Sequence, residues 1–212
     1  MTEPCLGDRQ LATSRLRLVI PAYSLDENDV YTFKTPHHER LRRDGRETMV
    51  DVALAATAAP TYFPAFHLRH HRLVDGGLWA NNPSLVGVVE AVSMLDAPLS
   101  SIRVLSLGTT DPLARNSAAL NNGGVLNWLR PVASLLLRAQ ALGHLHSVEH
   151  LIGPTNVVRV DPAVPEGTFA LDRLEGQAIQ GLAEGVSRRY SAQVQPFTQH
   201  LAPAYRPTPQ VQ

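Results

Sequence analysis

Apolar and polar positions along the chain follow two rhythms that change at turn-forming residues. RLRLVIPAY (15–23) and DVYTFKTP (29–36) are rich in β-branched and aromatic side chains and flank the turn-like SLDEN. That pattern predicts two strands able to pair as a hairpin. TMVDVALAATAA (48–59) predicts a short alanine-rich helix stopped by Pro60, with side chains small enough to let another element approach closely. HRLVD (71–75) predicts a short strand. The strongest helical period lies in NNPSLVGVVEAVSMLD (81–96). There Asn82 suits the N-cap, Pro83 suits the first helical position, and Leu85, Val88, Val89, Val92 and Leu95 form one apolar face.

SIRVLSLGTT (101–110) is a continuous apolar run, the pattern of a strand buried on both faces of a parallel sheet. A long helical region, 123–152, is interrupted near Pro131. TNVVRVDP (155–162) predicts another strand, and a last helix covers roughly 174–200. The charged stretch HHERLRRDGRE (37–47) interleaves arginines with Glu39, Asp44 and Glu47, which predicts a solvated connection rather than a nucleic-acid patch. Strand–helix alternation of this kind implies an α/β fold, a layered sheet with flanking helices. Residues 1–200 read as one domain, and 201–212 as a proline-rich flexible tail.

Composition narrows the functional classes. The 19 basic and 19 acidic residues balance to a net charge of +0, so no global field draws the chain to nucleic acid. Lys34 is the only lysine. A single cysteine, Cys5, excludes an internal disulfide framework and a cysteine-based zinc site. The N-terminus lacks the basic stretch and apolar core of a signal peptide, and no run of eighteen apolar residues occurs. The expectation is a soluble, cytoplasmic protein.

The candidate chemistry centres on Asp75-Gly76-Gly77, at the end of an apolar strand and just before a capped helix. Glycines there permit a tight turn and let a ligand or a neighbouring backbone come close to the carboxylate. The histidines offer less. His67, His70 and His71 cluster before the strand, and His146 and His150 are spaced i,i+4, yet no acidic or thiol set completes a site. No metal and no cofactor are expected. No phosphate-binding glycine fingerprint is present, and Trp79 and Trp128 read as packing residues.

Three blocks, ATAAPTYFPAF, LVDGGLWANNPSLVGVVEA and IRVLSLGTT, resemble the patatin-like phospholipase family in that order and at similar spacing. RLVIPAYSLDENDVYTFKTPHH resembles the segment that precedes them in bacterial members. The resemblance covers most of residues 6–161 and weakens towards the C-terminal end. It implies a serine–aspartate dyad that hydrolyses acyl esters of lipids, with Asp75 as the aspartate that takes the serine proton. Gly76 and Gly77 shape the turn in this reading, and Asn81 and Asn82 are candidate supports from their position.

Two further motifs that the family implies are missing. No serine has glycine two residues before and two after it, and the only glycines ahead of Asp75 are Gly7 and Gly45. The nucleophile elbow and the oxyanion loop are therefore absent, and the resemblance implies a domain lacking its N-terminal strand and nucleophile helix. An internal start codon, a split or decayed gene, and a genuine short paralogue all fit. The chain alone is expected to be weakly hydrolytic or inactive, acting on a lipid acyl ester at a membrane surface only with the missing N-terminal half or as a homo-oligomer. The alternatives are a non-catalytic lipid- or partner-binding module, and an enzyme using Ser84 or Ser106, the serines nearest Asp75 in sequence.

Overall fold

A computed structural model describes residues 6–112, 120–121, 123–128, 131–164, 176–199 and 205–206. The expected hairpin is present. β1 (Val19–Ser24) and β2 (Asp29–Lys34) pair antiparallel, with Val19 opposite Lys34 and Ser24 opposite Asp29. Asn28 closes the turn in the left-handed region at φ 51°, a conformation asparagine tolerates, and its Oδ1 accepts the Tyr23 hydroxyl at 2.9 Å. α1 (Met49–Ala56) starts where Thr48 Oγ1 accepts the Asp51 amide, an N-cap that satisfies one of the helix's unpaired donors.

β3 (Phe66–Leu68) and β4 (His71–Asp75) form a second hairpin, and β4 lies antiparallel to β1 with Ala22 opposite Asp75. The sheet order is β2-β1-β4-β3. Alternation along these strands sends Ala22, Tyr31, Phe33 and Leu73 to one face, where Val52 and Ala55 of α1 and Leu11 close the core. Phe33, Leu73 and Leu11 are completely buried there.

The rest of the chain forms a second packing unit. α2 (Gly77–Ala80) and α3 (Ser84–Leu95) lead to β5 (Val104–Leu107) and the two-residue β6 (Asp111–Pro112). α4 (Val125–Trp128) and α5 (Pro131–Ile152) follow, then β7 (Val157–Val160), β8 (Ala163–Val164) and α6 (Gly176–Thr198). β5 pairs parallel with β7, and β6 with β8. Val88 of α3 meets Val148 and Ile152 of α5 over this parallel pair, joined by Leu85, Ile102, Val104 and Val157. The chain is mixed α/β, its sheets flanked by helices.

Several expectations shift in detail. Helix α3 begins at Ser84, with Pro83 rather than Asn82 at the cap position, although Asn82 Oδ1 still accepts the Ser84 amide at 3.1 Å. Its apolar stripe is only partly used: Val88 is buried, but Val89 is 53% exposed and Val92 and Leu95 are exposed as well. β5 is parallel, as its apolar run suggests, yet Leu107 at its end is 69% exposed. The strand is therefore covered on one face more than on both.

The charged 37–47 connection is solvated only in part: Glu39, Arg40, Arg42, Arg43 and Arg46 are exposed, whereas His37, Asp44 and Glu47 are buried. Asp44 shows why. Its carboxylate accepts the Tyr31 hydroxyl at 3.1 Å, the Lys34 amide at 3.1 Å and Arg43 Nε at 2.8 Å, which compensates its lost hydration. Burial, with Asp44 beside it, pushes the Tyr31 phenol up to about 12, so it remains a donor. The tail lies outside the described residues apart from Tyr205 and Arg206, and Arg17 sits 4.8 Å over the Tyr205 ring. Among the described residues, no helix is long and apolar enough to cross a membrane.

Candidate active site

Asp75 ends β4 at the point where the sheet gives way to helix. Its backbone is held from two sides: it pairs with Ala22 across the strand, and its amide donates to Ala58 O at 3.1 Å, just beyond α1. Its side chain folds back on the turn, where Oδ1 accepts the Gly77 amide at 2.7 Å. That bond fixes the carboxylate, half-buried, at the start of α2. Among the described residues, Oδ2 accepts no hydrogen bond, so one carboxylate oxygen keeps its capacity to take a proton.

The two glycines serve by lacking a side chain rather than by left-handed backbone. Gly76 has an ordinary helical conformation, φ −67° and ψ −13°. A Cβ on Gly76 would lie 2.3 Å from the Pro21 carbonyl oxygen and 2.4 Å from its carbon, so this residue lets the turn pass directly against β1. A Cβ on Gly77 would lie 3.1 Å from Asp75 Oδ1 and 3.4 Å from Asn81 Oδ1. Gly77 thus sits between the carboxylate and the asparagine. Trp79 pins the far side of the turn by donating Nε1–H to Ala22 O at 2.8 Å, a packing role as its sequence context suggests.

Beyond α2 the two asparagines tie the turn to the second packing unit. The Asn81 amide donates to Gln140 Oε1 of α5 at 2.9 Å. Asn82 is almost wholly enclosed, at 1% exposure. Its Oδ1 accepts the Ser84 amide, the Ser84 hydroxyl at 2.6 Å and the Ser106 hydroxyl at 3.3 Å, and its Nδ2 donates to Ala141 O at 3.4 Å. His144 Nδ1 lies 3.1 Å from Asn82 O. The amide therefore joins α3, β5 and α5 at one point. Replacing it with alanine takes the shared acceptor from the half-buried Ser84 hydroxyl and the buried Ser106 hydroxyl, which keep only each other and Arg159. Asn82→Ala is expected to destabilise the chain by about 1–3 kcal/mol, read as a lower denaturant midpoint at unchanged slope.

The same network bears on Ser84 and Ser106. The two hydroxyls lie 3.0 Å apart, and Ser106 also accepts Arg159 Nη1–H at 2.7 Å, while Arg159 Nη2 pairs with Asp161 Oδ2 at 2.6 Å. Neither hydroxyl has a carboxylate or imidazole as hydrogen-bond partner among the described residues, so neither is set up to lose its proton. Arg159 and Asp161 escaped sequence reading because their neighbours in VVRVDP carry no motif; only the parallel pairing of β5 and β7 brings them to Ser106. Among the described residues, no three metal-ligating side chains gather.

Comparison with known proteins places the turn in context. Residues 7–86, which contain Asp75, Gly76, Gly77, Asn81 and Asn82, match the family model of patatin-like phospholipase. A cGAMP-activated phospholipase of Vibrio cholerae is 31% identical over 206 residues, covering 89% of this chain and 58% of the relative. A cGAMP-activated phospholipase of Pseudomonas aeruginosa is 33% identical, covering 89% and 60% respectively. Patatin-like protein 2 of Arabidopsis thaliana is 30% identical over 148 residues, 58% of this chain. The chain spans about three fifths of the length of the two bacterial relatives. On the match over residues 7–86 and the relatives that align along most of its length, the chain belongs to the patatin-like phospholipase family.

Proposed function

We propose that this chain supplies the aspartate half of a lipid acyl ester hydrolase, with Asp75 as general base for a serine carried on another segment. The observation that carries this reading is the Asp75 carboxylate at the strand–helix junction: Oδ1 is anchored by the Gly77 amide, and Oδ2 accepts no hydrogen bond among the described residues. In the reaction, Oδ2 takes the serine proton as the serine oxygen bonds to the ester carbonyl carbon. The ester C–O bond then breaks, the leaving alcohol takes that proton, and water releases the fatty acid from the acyl-enzyme. The site needs no metal or cofactor for these steps. The nucleophile and the oxyanion donors come from a segment outside residues 1–212, and these residues by themselves turn over ester weakly or not at all.

Because the bacterial relatives carry the name cGAMP-activated phospholipase, we extend nucleotide control to the assembled enzyme as part of the same proposal. The test is to co-express the chain with a family-derived segment bearing a glycine-rich loop and Gly-x-Ser-x-Gly, then follow fatty-acid release from phosphatidylcholine vesicles with and without cGAMP. Release that requires both polypeptides supports the reading. A folded complex that binds vesicles without turnover would leave a binding module as the function.

A further inference from the structure

A second group of ionisable side chains is buried between α3 and the β1–β2 hairpin, away from the Asp75 turn. Glu90 lies in the middle of α3, where a glutamate ordinarily faces water, yet it is 5% exposed. Its Oε2 takes Lys34 Nζ from the end of β2, and its Oε1 lies 3.0 Å from His37 Nε2. The His37 side chain is fully enclosed. Its other ring nitrogen, Nδ1, stands 2.9 Å from Thr35 Oγ1, which accepts the Leu18 amide at 2.9 Å and lies 3.4 Å from Leu18 O.

These contacts dictate where the protons are. A carboxylate only accepts, so His37 Nε2 carries its hydrogen and donates it to Glu90. In the neutral ring Nδ1 then accepts, and the Thr35 hydroxyl donates to it. Lys34 and Glu90 cancel in charge, and every polar atom has a partner. A second proton on the ring breaks that arrangement. Thr35 would have to turn its hydroxyl hydrogen towards Leu18 O, at the longer 3.4 Å, and two cations would face one carboxylate.

The groups that face the ring come from every element packed around it. Lys34 belongs to β2, Glu90 to α3, and Arg17 to the segment that leads into β1. Tyr205, from the C-terminal segment, stacks against Arg17, and burial pushes its phenol up so that it adds no charge. Only Glu90 favours a charged His37; Lys34, Arg17 and burial oppose it.

We propose that His37, Glu90 and Lys34 form a proton-sensitive clamp that holds α3 on the hairpin while His37 is neutral and loosens it when the ring gains a second proton. The elements it joins frame the Asp75 turn. β1 pairs with Asp75 through Ala22, and α3 starts two residues after the Asn82 hub. Acidification therefore slackens the frame of the candidate site from outside it.

The sign follows from linkage. Burial holds the His37 ring below its ordinary value of 6.5, with Glu90 working in the opposite direction. A group depressed in the closed state gives its full contribution above 6.5, and the contribution is lost as pH falls from there towards the lowered value. One proton sets the ceiling, so protection falls by at most about tenfold per pH unit.

The experiment is hydrogen exchange on the full chain, corrected for intrinsic rates, read at the Leu18 amide and along α3. Wild-type protection should fall by up to about tenfold between pH 7.5 and 5.5. His37→Gln should be flat across that range. Lys34→Met, which leaves Glu90 to a charged ring alone, should lift the ring's closed-state value towards 6.5 and so shrink the fall, a change that a purely structural role does not give. Nitrogen-15 spectra of the wild-type ring at pH 7.5 should show the proton on Nε2, a readout that needs no variant to fold. The clamp is overturned by flat wild-type protection, by the same fall in His37→Gln, by an undiminished fall in Lys34→Met, or by a proton on Nδ1.

Discussion

Replacing Asp75 with asparagine is expected to lower fatty-acid release by the complemented assembly by about 10²- to 10⁴-fold, the range a positioned general base contributes. The loss should fall on kcat, with KM nearly unchanged, because the carboxylate acts on the serine proton and not on the lipid. Asparagine is the informative substitution. Its Oδ1 still accepts the Gly77 amide, the bond that holds the side chain at 2.7 Å, so the turn keeps its shape. The other position becomes an NH₂ group, which has no lone pair for the serine proton. Melting should shift only by the difference between a charged and a neutral acceptor, on the order of 1 kcal/mol. Asp75→Ala does not separate these effects, because it removes the tie to Gly77 as well. Unchanged turnover in Asp75→Asn would remove Asp75 from the reaction and sink the dyad reading.

What could be read from the chain and what could not divides by the range of the interaction. The hairpin of β1 and β2, helix α1 and strand β4 are local events, set by periodicity and turn residues within a few positions, although α1 ends at Ala56, ahead of Pro60. Asp75 was legible for the same reason, since strand end, glycines and following helix are contiguous. The partners that hold the site were not. Ala22, Ala58, Gln140 and Ala141 reach it from β1, from the loop after α1 and from α5, and nothing beside them in sequence marks that use.

In the charged segment 37–47 the arginines and Glu39 are exposed as expected, and the reading missed His37, Asp44 and Glu47 for a related reason. Charge density predicts solvent only where no partner is folded against it, and His37 and Asp44 find theirs on α3 and β2. The apolar stripe of α3 failed in the opposite sense. Val89, Val92 and Leu95 satisfy the helical period, but α5 covers only the Val88 side. Leu107 at the end of β5 is similarly bare. Exposed apolar side chains on α3 and β5 are what a domain shows when a further segment packs there, in keeping with the proposal that the nucleophile arrives on one.

Gly76→Ala is the substitution expected to cost the most stability. The methyl group would sit 2.3 Å from Pro21 O and 2.4 Å from Pro21 C, well inside van der Waals contact, and both are backbone atoms of β1. A flexible side chain could swing aside, whereas a central strand paired on both edges cannot. β1 is held by β2 on one side and β4 on the other, and Ala22, next to Pro21, is opposite Asp75 itself. Relief requires the β1–β4 pairing to open at the site, or the turn to lift and lose the Ala80-to-Gly76 and Asp75-to-Ala58 backbone bonds. Either route should cost at least about 4 kcal/mol, beyond ordinary overpacking because the obstacle is main chain. That is a large part of the stability of a typical domain. Gly77→Ala is the control: it has ordinary backbone, and the atoms nearest its methyl would be side-chain atoms, Asp75 Oδ1 at 3.1 Å, Asn81 Oδ1 at 3.4 Å and Asp75 Cγ at 3.8 Å. Comparing the two by denaturant unfolding, Gly77→Ala should stay folded within about 1 kcal/mol of the parent while Gly76→Ala loses its cooperative transition. Equal stability of the two variants would mean that the Asp75 turn does not pass against β1 as closely as the structure places it.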